Sequence, residues 1–221
     1  MPELPEVESI RRVLKNSLIN QKLQKYKIFD QRINRFNIVN PRNLGVLLEI
    51  NRKGKILQFN FKNNSIFFHL GMSGRLDLNG IKNKHTHGIF FFDKDILLYD
   101  DIRKFGYIKI LKNDLANKQF STLGPDALSL SKIDKFFVMN KAKKSSTSIK
   151  KFLLNQKNIS GLGNIYVNEI LFLAGIHPHS VSFKLKDINW NDIFLYTKKV
   201  LKKAIKNNGT TLSDMTYVLP Q

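Results

Sequence analysis

The sequence predicts an α+β protein: one helix at the N-terminus, an antiparallel β-sandwich or barrel behind it, and a helical second half. Three observations predict this. Apolar residues recur at helical spacing near the start. Short runs rich in Ile, Phe, Leu and Tyr, broken by Gly and Asn, then follow one another from about residue 22 to 111, too closely for the crossover helices of a parallel sheet. Beyond about residue 131 the spacing turns helical again.

In order along the chain, Met1-Pro2-Glu3-Leu4-Pro5-Glu6-Val7-Glu8 leads into the first helix. Pro5 suits a first turn, Glu6 and Glu8 suit the positive end of the dipole, and Val7, Ile10, Val13, Leu14 and Leu18 form its apolar stripe. Strands are expected at 47–50, 56–61, 66–70, 89–92, 96–99 and 107–111. After Leu123-Gly124-Pro125-Asp126, helices are expected at 131–139, 147–155, 164–174 and 191–206, with Gly175 and Gly209 where C-caps belong. The domains are then 1–111, a hinge at 112–130, and 131–221, with no internal repeat.

Composition narrows the partners. Lys and Arg number 37 against 17 Asp and Glu, a formal net charge of +20, which attracts polyanions. A Lys-rich genome gives the same excess on solvated faces, and charge alone does not separate DNA from RNA or an anionic membrane. Hydrophobic residues are 42%, including 17 Phe, enough to pack a core. The absence of cysteine excludes disulfides, a catalytic thiol and thiolate zinc within these residues. No run approaches the roughly 18 apolar residues of a membrane span and no leader opens the chain, so a soluble intracellular protein is expected.

Pro2 offers a nucleophile. Once the initiator Met is removed before this small residue, the chain starts with a secondary amine; α-amino groups titrate at about 7.7–8.0, so part is neutral near pH 7. Attack of such an amine on a sugar C1′ gives an iminium ion, an electron sink that permits elimination of the sugar's phosphates. Glu3 can pass a proton to the ring oxygen. Taken alone, Met-Pro-Glu is also an ordinary start to a chain.

The opening octapeptide closely resembles the start of bacterial formamidopyrimidine-DNA glycosylase (8-oxoguanine DNA glycosylase), and further motifs follow in that family's order. Arg52-Lys53-Gly54-Lys55-Ile56-Leu57 resembles the turn that carries its catalytic lysine, here Lys55. His69-Leu70-Gly71-Met72-Ser73-Gly74 is similar to the segment whose Met, here Met72, fills the hole left by a flipped nucleotide. Lys84-His85-Thr86-His87 resembles a Lys-His-Asp-His stretch in which the first His, here His85, contacts DNA; a metal pair is the lesser reading of these histidines, with no Cys or third ligand beside them. Asp101-Ile102-Arg103-Lys104-Phe105-Gly106 resembles Asp-Pro-Arg-Arg-Phe-Gly, which implies that Arg103 pairs with the orphaned base and Phe105 wedges into the stack. Ile102 and Lys104 depart from that pattern. Ile159-Ser160-Gly161-Leu162-Gly163-Asn164 resembles the helix–two-turn–helix of the family, implying a phosphate held by Asn164 and by free N–H groups of the helix it opens. Glu169 and Glu6 are expected to support the site structurally. Lys144 lies beside the position of a family DNA-contacting lysine, which falls on Ser145 here, and Lys150 matches a second.

The resemblance implies an N-terminal helix plus antiparallel β-sandwich domain, followed by a helix–two-turn–helix domain. It implies a bifunctional enzyme that excises oxidised purines from double-stranded DNA and cleaves abasic sites by β-elimination. A bacterial, cytoplasmic, nucleoid-associated monomer with no membrane partner is expected. The family continues past Gly209-Thr210-Thr211-Leu212, the start of its lesion-recognition loop, into a four-cysteine zinc finger whose Arg assists a second elimination. No zinc or other cofactor is therefore assigned to these residues, and the sequence is expected to be a fragment or a truncated form. Two other readings stay open: a non-catalytic remnant that binds damaged DNA, and a basic RNA-binding protein.

Overall fold

The computed structural model describes residues 2–34 and 44–207. Helix α1 (Leu4–Leu18) is followed by nine strands: β1 (Lys22–Ile28), β2 (Gly45–Val46), β3 (Glu49–Lys53), β4 (Ile56–Asn60), β5 (Asn64–His69), β6 (Gly74–Leu78), β7 (Thr86–Phe92), β8 (Ile96–Asp101) and β9 (Tyr107–Lys112). Helices α2 (Asn113–Gln119), α3 (Lys132–Lys143), α4 (Ile149–Leu154), α5 (Asn164–Leu173) and α6 (Asp187–Lys206) complete the described residues, with a short 3-10 turn at Ser182–Lys184.

The strands form two antiparallel sheets, ordered β2-β1-β7-β8-β6 and β3-β4-β5-β9. Alternation along each strand turns one set of side chains inward. Phe59 and Phe68 from one sheet meet Phe90 from the other, Phe68 lying edge-on 4.9 Å from Phe59 and 5.2 Å from Phe90. The α1 stripe of Val7, Ile10, Leu14 and Leu18 is buried in the same core, whereas Val13 is only half-buried. On the outer face of the smaller sheet, α2 brings Ala116 over Ile56, Phe67 and Leu111. The helices have their own core around Phe152, Tyr166, Ile170 and Trp190, and Leu4 of α1 is part of it. The first turn of α1 thus sits where the two cores meet.

Several elements differ from expectation, each for a local reason. β1, with the sequence KLQKYKI, buries only Leu23 fully and so shows no apolar run. β6 begins on glycine and alternates Arg and Asp with Leu, and β2 is two residues long. The strand expected at 47–50 is β3, shifted by the connection in which Leu47 hydrogen-bonds Asn20 and Gln21 through its backbone. Segment 112–130 contains polar α2, and α6 begins at Asp187 because polar Asn191 and Asp192 hide the helical period. Gly175 ends α5 at φ +63°, as a C-cap glycine does, whereas Gly209 lies outside the described residues.

Arg52 joins the parts. Its side chain is 6% exposed and bonds Glu8 of α1 at 3.1 Å, Asp126 at 2.7 Å and the carbonyl of Gly54 at 2.9 Å. Burial raises the Glu8 carboxyl, but bonds from Arg11, Arg12 and Arg52 outweigh it and hold the group at about 2, against an ordinary 4.5. The folded state therefore favours the carboxylate. Its contribution to stability is complete above pH 4.5 and lost as pH falls toward 2. Thermal unfolding midpoints should fall across that window in the native protein and less in Glu8→Gln; equal slopes would contradict the assignment.

Candidate active site

The β3–β4 hairpin turns through two residues, Gly54 and Lys55, with Gly54 at φ +58°, the left-handed region that glycine enters without strain. The Gly54 N–H donates to Asp126 Oδ2 at 2.7 Å, so the Arg52–Asp126 pair fixes the turn that presents Lys55.

Glu3 comes from the other side. Its N–H donates to Glu6 Oε2 at 2.9 Å, and Tyr166 donates its hydroxyl to Glu6 Oε1, so Glu6 ties the first turn of α1 to α5. The Glu3 carboxylate is 1% exposed and accepts from the N–H groups of Ile165 at 2.9 Å and Tyr166 at 3.4 Å, at the start of α5. This corrects the expectation that those groups are free for an external anion: the chain's own carboxylate fills two of them, because α1 docks against the two-turn segment. The Gly-Leu-Gly of that segment makes room for it. A Cβ on Gly163 would lie 2.3 Å from the Glu3 carboxyl carbon, and one on Gly161, at φ +106°, 2.4 Å from the Leu4 side chain. Leu4 N also donates to Gly161 O at 3.1 Å.

Between these elements opens a cavity of about 390 Å³, lined by Lys55, His69, Gly71, Leu162, Gly163 and Asn164 among others. Burial pushes Glu3 above its ordinary 4.5, although the α5 N–H groups and Lys55 pull it down. Burial lowers the Lys55 ammonium from 10.5, with Glu3 and Glu6 opposing. His69, stacked on Tyr107 at 5.2 Å, is held down to about 4 by burial and by Lys55. Its Nδ1 accepts from Gly71 N–H at 3.2 Å, which leaves its proton on Nε2. The site thus combines a carboxyl biased toward holding a proton, an amine biased toward releasing one, and a neutral imidazole. Pro2, adjoining Glu3, is buried.

A second group continues from Gly71. Met72, Ile102 and Phe105 are 42%, 64% and 53% exposed, and the Arg103 guanidinium stacks 4.7 Å over the Phe105 ring. Lys104 stands at φ +56° and reaches Asp30 at 2.8 Å. His85 is half-buried at the start of β7 and its carbonyl accepts from Asp101 N–H at 3.0 Å. His87 is buried with Nε2 3.0 Å from the Asp101 carbonyl, which separates it from His85 as a ligand pair. Among the described residues no group of three or more His, Cys, Asp or Glu could hold a metal ion.

The remaining expected residues spread outward. Asn164 is exposed as the first residue of α5. Lys144, at the end of α3, shares a basic cleft with Lys141, Ser145 and Lys151, while Lys150 is half-buried on the neighbouring turn. Glu169 is exposed and its side chain makes no hydrogen bond or ion pair among the described residues, so the anchoring expected of it is not made there; it faces a separate cavity between α5 and α6. Anchoring is done by Arg52, Asp126 and Gln156, the last accepting from Gly161 N–H at 2.8 Å and donating to Leu162 O at 2.9 Å. Sequence reading missed these three and the cavity role of His69. Only their nearness to glycine turns could have signalled them.

The profile of the formamidopyrimidine-DNA glycosylase N-terminal domain matches residues 1–108, and that of the same enzyme's H2TH domain matches residues 123–216. The formamidopyrimidine-DNA glycosylase of Psychromonas ingrahamii is 36% identical over 97% of this chain and 82% of its own. That of Listeria innocua is 35% identical over 100% of this chain and 84% of its own. A crystal structure of the Lactococcus lactis enzyme, non-covalently bound to DNA containing an AP site, superposes with TM-score 0.85 at 30% identity, covering 97% of this chain and 86% of that one. A structure of MutM with DNA containing carbocyclic 8-oxo-G gives TM-score 0.88 at 32% identity, over 95% and 82%. No helix among the described residues is long and apolar enough to cross a membrane. With both profiles matched and the relatives' fold reproduced around the Lys55 cavity, the chain belongs to the formamidopyrimidine-DNA glycosylase family.

Proposed function

We propose that the protein is a base-excision-repair glycosylase that removes 8-oxoguanine and formamidopyrimidines from duplex DNA and cuts the strand at the resulting abasic site. The observation that carries this reading is the convergence of Lys55, His69 and Asn164 on one cavity, with Glu3, next in sequence to Pro2, buried directly behind the lining residue Gly163 and bonded to the start of α5. After removal of Met1, the Pro2 nitrogen attacks C1′ while Glu3 protonates the ring oxygen. The C1′–base bond breaks, the base departs with the proton shed by the Pro2 nitrogen, and as the C1′–O4′ bond opens the sugar remains as an iminium ion. Loss of a C2′ proton expels the 3′ phosphate, and water releases the enzyme. Lys55 and Asn164 hold the flanking phosphates. Met72, Arg103 and Phe105 occupy the space of the flipped nucleotide, and His85, Lys144 and Lys150 hold the DNA backbone. A monomer acting at the bacterial nucleoid suits such a substrate and a net charge of +20.

A duplex with 8-oxoguanine opposite cytosine tests this. Cleavage should leave a 5′ phosphate and an unsaturated aldehyde, with affinity falling by about 0.9 log unit per phosphate contact per decade of salt. Tight binding of abasic duplex with no cleavage would instead indicate a binding remnant, and equal or tighter binding of structured RNA an RNA-binding protein.

A further inference from the structure

The exposed residues that face the flipped-out gap stand on two loops, and one buried carboxylate joins them. Asp101 is 0% exposed. Its Oδ1 accepts from the Ser73 hydroxyl at 2.6 Å and from the Arg103 N–H at 3.2 Å, and its Oδ2 accepts from the Gly106 N–H at 2.8 Å. Arg103 N–H also donates to Ser73 Oγ at 2.9 Å, which closes a small ring of bonds. Ser73 adjoins Met72, whereas Arg103 and Gly106 bracket Lys104 and Phe105. Through its backbone the same residue accepts from His87 Nε2 and donates to the His85 carbonyl.

Sequence alone gives no reason for the loops at 71–73 and 102–106 to move together. They lie about 30 residues apart in the chain, and each carries large apolar side chains toward solvent. Left independent, each would order separately when DNA arrives, with a loss of conformational entropy for every residue fixed. A carboxylate accepting from both loops removes that freedom beforehand. Lys104 adds a second tie: its left-handed backbone at φ +56° is strained for a residue with a side chain, and its ammonium is held by Asp30.

We propose that Asp101 is a positioning residue that couples the Met72 loop to the Arg103–Phe105 loop, so that the gap-filling Met, the wedging Phe and the base-reading Arg enter DNA as one preformed unit. It touches neither substrate nor the reacting atoms, so its removal should impair insertion and opposite-base reading while leaving the Pro2–Glu3–Lys55 chemistry intact. The inference rests on the glycosylase reading and can fail separately from it.

The test uses a duplex with tetrahydrofuran, a stable abasic analogue, beside 2-aminopurine, whose fluorescence rises when its stacking partner is lost. No turnover is needed. Binding of the native chain should give a bright, single-phase rise. Asp101→Asn, which turns an amide NH2 toward at least one of the three donors, and Ser73→Ala, which removes both the bond given to Asp101 and the bond accepted from Arg103, should each lower the amplitude or slow the rise at least 5-fold. Ser73→Thr, which keeps the hydroxyl, should restore it. Excision of 8-oxoguanine should slow in parallel and its preference for cytosine opposite should shrink, whereas borohydride trapping on a preformed abasic site stays within about 3-fold. Should Asp101→Asn fail to fold, the Ser73→Ala and Ser73→Thr pair decides alone. Native-like fluorescence in Ser73→Ala, or trapping that falls as far as insertion does, would overturn the proposal. Absence of any rise with the native chain also overturns it, whereas absence of cleavage by a chain that does insert overturns the glycosylase reading alone.

Discussion

Replacing Glu3 by Gln should slow release of an oxidised purine by about 10²–10⁴-fold, the range that a well-placed general acid contributes. The amide keeps the shape and can still accept from one of the two α5 N–H groups, but it has no proton to give. The effect should be selective. On a preformed abasic site the base is already gone, so proton delivery to the ring oxygen matters less and strand cleavage should fall far less. Fold should survive, because burial works against this carboxylate and the amide carries no charge to desolvate. Single-turnover rates on 8-oxoguanine and abasic duplexes, measured beside thermal unfolding, separate these effects. Equal losses on both substrates would mean that Glu3 acts by holding α1 against α5 rather than by moving a proton.

The largest effect on stability should come from Arg52. Its guanidinium lies between Glu8 and Asp126, 6% exposed, and its removal leaves two carboxylates in a poorly hydrated junction. Breaking a buried pair this way typically costs about 3–5 kcal/mol, and for a chain of this size that lowers the unfolding midpoint by roughly 6–20 °C. Arg52→Ala should also reduce turnover in the surviving folded protein, because Asp126 and Arg52 together fix the Gly54–Lys55 turn. Arg12→Ala is the natural control: that side chain is 58% exposed and bonds the same Glu8, and surface pairs contribute about 0–1 kcal/mol. Comparable losses in the two variants would show that the junction is not sealed as the geometry indicates.

How much of this was legible in the sequence depended on whether the signal was local. The α1 stripe, the Phe-rich strands and Gly175 each announce themselves through period or backbone freedom, and the structure follows them. β1 does not, because four of its seven residues are polar and its burial is decided by the strands on either side of it. α2 is legible only once the outer face of the small sheet exists to be covered. At the site, Pro2, Glu3, Lys55, Met72, Arg103, Phe105 and Asn164 were singled out through family motifs. Their supports were not, because Arg52, Asp126 and Asp101 pair across 28 to 74 residues of chain, and Gln156 acts inside an irregular turn whose geometry no periodicity announces. The start of α5 shows the limit most clearly. Its N–H groups were expected to be free for a phosphate, and the structure fills two of them with Glu3, while the neighbouring glycines make room for Glu3 and Leu4.

The central claim is that the Pro2 nitrogen forms the covalent bond to the sugar. Borohydride reduction during reaction with an abasic-site duplex, followed by nuclease and protease digestion and mass spectrometry, tests it most directly. The account predicts a deoxyribose remnant on the N-terminal peptide, at the Pro2 nitrogen, in chains that have lost Met1. A remnant on Lys55, or equal trapping by chains that still carry Met1, would contradict it.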